Sequence, residues 1–354
     1  MNDKPPFSPL MLTVVRESKK KSQTKLAKEA GLAQSIVSRI EAGLFSPSDE
    51  IVGRLAESLG CPPSLLHVPL RFRELPMTFF RKRTRVRVAD VKAIRALVNL
   101  YRLRLEILLR SFDLADAKLI QVGTREDGLS PSEAAARLRV YWNVPPGPIH
   151  NLTKLVESYG VVVVPMDFAN ESVDGLSLYE PTDTLPPMVF LNPNLPGDRW
   201  RLSLAHELGH IILHHHLDVP PSDKEMEREA FEFAVEFSAP AREISGQLRH
   251  ITMHRLAALK KHWRISMAAL LMRATQMGHI SERHARRFWI YLKKSGRAEP
   301  VMIPSERATT VRKMVRYHRN ELGYSMTDLS KALHQFVEEC RVDFGISPTR
   351  LRLE

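Results

Sequence analysis

The sequence predicts a mainly α-helical protein with one small β-sheet, an α+β chain in which an all-α N-terminal domain precedes a mixed domain and further C-terminal helices. Three observations predict it. Residues 8–70 read as four short amphipathic segments separated by turns. Three apolar runs of strand length, at 161–165, 175–179 and 188–191, lie close together. The rest of the chain beyond residue 129 shows helical periodicity broken by proline and glycine.

Composition bounds the reading. A chain of 354 residues has room for two or three domains. Its hydrophobic content of 44% and charged content of 26% are those of an ordinary globular protein. Cys61 and Cys340 are far apart and form no CxxC, which argues against a disulfide framework, a cysteine zinc site or an iron–sulfur cluster, and suits a reducing cytoplasm. The opening MNDKPPFSPL has no apolar core, so no signal peptide is expected, and no stretch approaches 18 apolar residues, so no membrane partner is expected. A formal charge of +12 favours an anionic partner, nucleic acid first.

In the first domain, 8–70, residues 10–17 form one helix and the basic turn Lys19-Lys20-Lys21 follows. Residues 23–30 form a second helix, and Gly31-Leu32-Ala33 supplies a three-residue turn with glycine where a left-handed residue is needed. A third helix, 34–41, turns Ile36, Val37 and Ile40 inward and leaves Gln34, Ser35, Ser38 and Arg39 outside. Residues 48–59 give a fourth, closed by Gly60. Two helices about a glycine turn, the second offering short polar side chains, suit the major groove of DNA. The stretch QTKLAKEAGLAQSIVSRIEAGLFSPS closely resembles the XRE/Cro family of helix-turn-helix domains. That resemblance implies binding to double-stranded operator DNA through Gln23, Gln34, Ser35, Ser38 and Arg39, as a homodimer on a palindromic site.

Residues 71–128 are a basic linker and helix. Arg71, Arg73, Arg81, Lys82, Arg83, Arg85, Arg87, Lys92, Arg95, Arg102 and Arg104 crowd its first part, with Phe72, Phe79 and Phe80 among them. They either run along phosphates or form a solvated linker entering a helix at 91–112.

From 129 a new unit begins. Ser130-Pro131-Ser132-Glu133 is a capping box that starts a helix running to about Trp142. A second helix spans 151–159 before the strand candidates. The following helix carries His206-Glu207-Leu208-Gly209-His210, the most informative stretch of the chain. Histidines at i and i+4 share one helix face and can reach one metal, and the intervening Glu207 stands where it can act on a water as general base. A zinc site of this kind takes a third protein ligand. His214 is two turns beyond His206, about 12 Å along the axis, too far for the same ion. His216 has the spacing of an HExxHxxGxxH pattern, but Leu213 replaces the glycine that would turn the chain back. The better candidate is Glu227 in a helix at 224–240. Glu225, Glu229, Glu232 and Glu236 read as one charged, solvated stripe. Glu227 falls off it, beside Ala230, Phe231 and Ala234, where a carboxylate needs a positive partner. The metal ligands expected are therefore His206, His210 and Glu227, with Zn2+ as cofactor and Glu207 as catalytic base. A small sheet before a metal helix suits a zincin-like peptidase, in which an edge strand holds an extended peptide.

The residues Gly147-Pro148-Ile149, Val173-Asp174-Gly175-Leu176-Ser177 and the run from Arg199 to His210 resemble the ImmA/IrrE family of metallopeptidases, and Glu227 to Pro240 resembles that family's ExxAxxxA…P helix. The resemblance implies a zinc metallopeptidase domain at 129–250, supports Glu227 as ligand, and implies a helix-turn-helix-like module at 251–300. There Lys260, Lys261, Arg264 and Arg273 offer a second DNA contact, against packing of Leu259, Trp263, Ala269 and Leu270 on the catalytic unit. Residues 301–354 read as helices at 312–322 and 326–340 with no assignable role. No internal repeat is visible. Two functions follow. The first is a DNA-bound transcriptional regulator that is also a zinc endopeptidase, cleaving a regulatory protein such as a repressor or antitoxin, or itself. The second is a non-proteolytic repressor or antitoxin-type regulator whose zinc fold is a sensor or scaffold.

Overall fold

The computed structural model describes residues 5–73, 87–124, 127–168, 170, 172–181, 184–217, 219–294, 299 and 301–344. Phe79, Phe80, Arg81, Lys82, Arg83 and Arg85 of the basic stretch lie outside the described residues. The fold is mainly helical with a three-stranded mixed sheet. Packing groups the chain into two compact units, 1–114 together with 310–354, and 115–309.

The first unit begins with α1 (Pro9–Ser18), α2 (Gln23–Glu29), α3 (Gln34–Glu41) and α4 (Asp49–Leu59). Side chains of Ser8, Ser22 and Ser48 cap α1, α2 and α4, each accepting a bond from a backbone N–H of the first turn. Gly31, at φ 62°, turns the chain between α2 and α3. Met11, Leu12, Leu26, Val37, Ile40 and Leu55 make the core. A long helix, α5 (Val88–Leu109), adds Leu100 and Leu103 to it.

Much of the basic charge in this region is used internally. Arg102 is buried and donates to the Arg71 carbonyl at 2.9 Å, and Asn99 brackets the Arg73 backbone at 2.8 and 2.9 Å. Arg95 stacks over Phe72 at 5.1 Å, and Arg104 pairs with Asp343 at 3.1 Å. Among the described basic residues, Arg71, Arg87 and Lys92 stay exposed, while Arg95, Arg102 and Arg104 are held by protein groups.

The C-terminal helices α14 (Thr310–Asn320), α15 (Met326–Ala332) and α16 (Val337–Asp343) complete this unit. A single helix at 326–340 is not formed. His334 adopts φ 51°, a left-handed conformation that stops α15 and redirects the chain. Cys61 and Cys340 are both buried free thiols.

In the second unit α6 (Pro131–Tyr141) starts at the reciprocal Ser130–Glu133 capping box, and Asn151 caps α7 (Leu152–Ser158). The sheet runs β1 (Val162–Pro165), β3 (Met188–Leu191), β2 (Gly175–Leu178) in space. β1 is parallel to β3, with Val163 opposite Val189, and β2 is antiparallel to β3, with Ser177 opposite Val189. β3 is buried throughout, which explains its unbroken apolar run. Two long helices, α8 (Gly197–Leu213) and α9 (Asp223–Ser238), pack against each other, and α9 also packs on α6. After the short α10 (Ala241–Ile244), helices α11 (Met253–Trp263), α12 (Met267–Gln276) and α13 (Glu282–Lys294) share their own cluster around Leu256, Trp263 and Leu270.

Two of the basic residues considered for DNA in that module are interior. Lys260 is 3% exposed and lies between Asp198 at 2.7 Å and Glu299 at 2.8 Å, while Arg273 pairs with Glu236 inside the protein. Arg264, in the left-handed region, ends α11 and donates to the His150 carbonyl at 2.7 Å. The helices pack, as their apolar faces require, and their cations neutralise buried carboxylates. No helix among the described residues is long and apolar enough to cross a membrane.

Candidate functional site

α8 places His206 and His210 one turn apart, and α9 brings Glu227 across from them. The approach depends on Gly209. A methyl group there would stand 3.1 Å from the Ala230 carbonyl and 3.1 Å from Phe233, so any larger residue would push α9 away from α8. The two histidine Nε2 atoms lie 3.1 Å apart, and the Glu227 carboxylate oxygens lie 3.5 Å from His206 Nε2 and 3.6 Å from His210 Nε2. Donors on a tetrahedron about zinc, at roughly 2.0–2.1 Å, stand about 3.3 Å from one another. The three side chains therefore fit a metal ion, and they are the one such cluster among the described residues. Burial drives the His210 pKa down to about 3, so its imidazole is neutral and its lone pair is available to a metal. His216 is not among the converging donors.

Glu207 is 5% exposed and lies beside this cluster on α8. Its carboxylate accepts a hydrogen bond at 2.9 Å from Ser177, a fully buried residue of β2. Ser177 Oγ also lies 3.3 Å from His215 Nε2, and His215 Nδ1 lies 3.1 Å from the Tyr179 carbonyl. Because the carbonyl can only accept, Nδ1 keeps the ring proton and donates it, so Nε2 is an acceptor, and the single Ser177 proton goes to the shorter, charge-assisted bond. Burial holds the His215 pKa at about 4, consistent with a neutral ring.

Behind the donors stands a chain that sequence inspection missed. His210 Nδ1 lies 3.0 Å from His214 Nδ1, His214 Nε2 lies 3.2 Å from Glu229, and Thr124 donates to the same carboxylate at 3.2 Å. With a metal on His210 Nε2, the proton sits on Nδ1 and points to His214, whose own proton points to Glu229. His214 is thus not among the converging donors, but its ring bonds the ring of one of them. The glutamate stripe expected to be solvated is not. Glu229 and Glu236 are each 8% exposed, Glu232 accepts from Ser132 at 2.9 Å, and Glu225 caps its own helix. Helices cover α9 on more than one side, and each carboxylate has found a donor. Glu229→Gln is expected to weaken zinc binding about 10- to 100-fold in a chelator competition, the cost typical of a lost outer-shell partner. Unchanged affinity would reduce the chain to core packing.

In the first unit the outer face of α3 exposes Gln34, Ser35 and Arg39, with Ser38 half-buried between them. Gln34 donates to Gln23 at 3.0 Å, Gln23 donates to Glu41 at 2.8 Å, and Glu41 is held by Arg16 at 2.6 Å. Arg39 lies 5.8 Å from the Phe45 ring centre. The Gln34 amide retains its oxygen and one hydrogen, the pair that a bidentate contact to adenine uses.

Comparison with known families agrees with both regions. A helix-turn-helix family matches residues 14–66, and the Peptidase M78 family, described as an IrrE N-terminal-like domain, matches residues 156–275. No curated protein matches the chain significantly. The second match spans the sheet, α8, α9 and the helices after them, and so contains Ser177, His206, Glu207, His210 and Glu227. The chain therefore carries an XRE-type helix-turn-helix domain at its N-terminus and, beyond it, an IrrE N-terminal-like domain of the Peptidase M78 family.

Proposed function

We propose that this chain is a DNA-binding regulator whose second unit is a zinc-dependent endopeptidase acting on a regulatory protein, a repressor or antitoxin, or on itself. The observation that carries the reading is Glu207. A structural zinc site has no use for a second acidic side chain outside its donor set, yet here a carboxylate is buried beside three metal donors and oriented by Ser177. The helix-turn-helix domain supports the regulatory half of the reading.

His206, His210 and Glu227 would hold the ion. Zinc supplies Lewis acidity there, which makes a water nucleophilic near neutral pH. Glu207 is placed to hold, at its carboxylate, the proton released in peptide hydrolysis and to hand it to the departing amine. Ser177 keeps the Glu207 carboxylate aimed through that exchange. β2 is an edge strand of the sheet, antiparallel to β3, the kind of strand to which an extended segment can add. A substrate bound as an added strand would lie next to Ser177 and so next to Glu207.

The test is metal content of the purified protein beside a Glu227→Ala variant, by elemental mass spectrometry. About one zinc per chain is expected in the wild type, with most of it lost in the variant. Full occupancy in Glu227→Ala would remove Glu227 from the ligand set. A wild type without zinc would favour the second function, a repressor whose zincin-like fold is a scaffold.

A further inference from the structure

The C-terminal helices repeat the N-terminal ones. α2 begins at Gln23 and α15 at Met326, α3 begins at Gln34 and α16 at Val337, a constant offset of 303 residues. Both short helices have seven residues. Both are capped by a serine, Ser22 or Ser325, whose side chain accepts from the third residue of the helix. The chain enters them through left-handed residues at matching places, Lys20 at φ 53° and Gly323 at φ 71°. It leaves them through Gly31 at φ 62° and His334 at φ 51°. Even the bond that closes the turn is shared, Leu32 N–H to the Ala27 carbonyl at 2.8 Å and Gln335 N–H to the Ser330 carbonyl at 2.9 Å. Buried positions coincide as well: Met11 with Met314, Leu26 with Leu329, Ala30 with Leu333, Val37 with Cys340. Few of the aligned side chains are identical, and the turn glycine is a histidine in the second copy. The repeat is one of backbone plan and is invisible as sequence.

The outward positions of α3 held by Gln34, Ser35, Ser38 and Arg39 become Val337, Glu338, Arg341 and Val342 in α16. These are base-reading chemistries of a different kind: arginine to guanine, a carboxylate to the cytosine amine, valine to the thymine methyl. Before them, α14 exposes Arg312, Lys313, Arg316 and Arg319 and has no acidic residue. Arg16 in the first copy is buried against Glu41, whereas Arg319 is exposed because Phe344 stands in the place of Glu41. Basic side chains left outside suit phosphates. The two copies are joined within one unit: His334 bonds Ser64 at 3.1 Å, Arg104 pairs with Asp343, and Lys19 lies 3.6 Å from Glu339.

We propose that residues 310–344 form a second DNA-reading head, and that a single chain reads a two-part operator whose halves differ in sequence. The proposal rests on the DNA-binding reading of the first head. It replaces the palindrome and homodimer expected from the N-terminal domain alone, since two unlike heads on one chain call for two unlike half-sites.

The experiment is selection of bound duplexes from a randomised pool by the full-length protein, beside two double variants whose folding is checked by circular dichroism. One carries Arg341→Ala with Glu338→Gln, both on the surface, and the other Gln34→Ala with Ser38→Ala. The wild type is expected to enrich two unlike half-sites at fixed spacing. The first variant should lose sequence preference in one half and bind the whole site about 10- to 100-fold more weakly, and the second should lose preference in the other half. Enrichment of a single half-site, or of two identical halves, would overturn the second head. The exposed Phe336 and Val342 of that face would then mark a protein contact. No enrichment of any sequence would instead overturn the DNA reading of the first head, and this proposal with it.

Discussion

On the function proposed above, a Glu207→Gln variant is expected to bind zinc as the wild type does and to lose hydrolysis. Glutamine preserves the shape of the side chain and still accepts from Ser177 through its amide oxygen, so the donors on α8 and α9 are undisturbed. What disappears is the ability to take and return a proton, which is worth on the order of 10²- to 10⁴-fold in rate. The measurement works even while the substrate is unidentified. New protein N-termini are compared by mass spectrometry in cells expressing wild type and variant, with zinc measured on the same preparations. Neo-N-termini that depend on the wild type and vanish with the variant are the expected result. The same termini produced equally by both would remove Glu207 from the chemistry.

The largest expected effect on stability belongs to Glu306. This residue and Arg201 form an ion pair with side chains 5% and 1% exposed, and the carboxylate also accepts from Leu152 N at 3.1 Å and from Thr153 N at 2.7 Å. Arg201 is further tied to the Ile149 carbonyl at 2.7 Å, and burial lowers its pKa against the pull of Glu306. Glu306→Ala leaves a guanidinium and two backbone donors without their acceptor in the interior, at a cost of about 3–5 kcal/mol. Urea unfolding of the full chain should show the loss as an earlier midpoint. A companion variant, Arg201→Met with Glu306→Leu, should recover part of it, because an apolar pair leaves no orphan charge. A loss below about 1 kcal/mol for Glu306→Ala would mean that water reaches Arg201.

The features that were legible in the sequence are those with local signatures. Gly31 between two short helices, the Ser130–Glu133 box, the three apolar runs and the i, i+4 histidines each announce themselves within a few residues, and the mainly helical fold with its small sheet follows from them. What escaped notice depends on what covers a helix. Glu229 and Glu236 share a face by spacing, and a one-faced helix would have put that face in water, but α9 is packed by both α8 and α6. Lys260 and Arg273 follow the packing alternative for the same reason: in this fold their charge marks a buried partner. His334 escaped because nothing in its side chain advertises a left-handed backbone; only its match to Gly31 in the folded chain reveals the turn.

The unit that contains both chain ends, 1–114 with 310–344, has a consequence for biogenesis. Its last helices supply Asp343 to Arg104 and close the sequence interval around the entire 115–309 unit, which is thus an insertion in the covalent order. During synthesis the inserted unit can finish folding while the outer one still waits for residues near 340 to leave the ribosome. A single break of the backbone inside 115–309 would leave two fragments that each hold part of the outer unit, bound by packing alone, so the parted chain would still migrate as one particle until a denaturant separated the pieces.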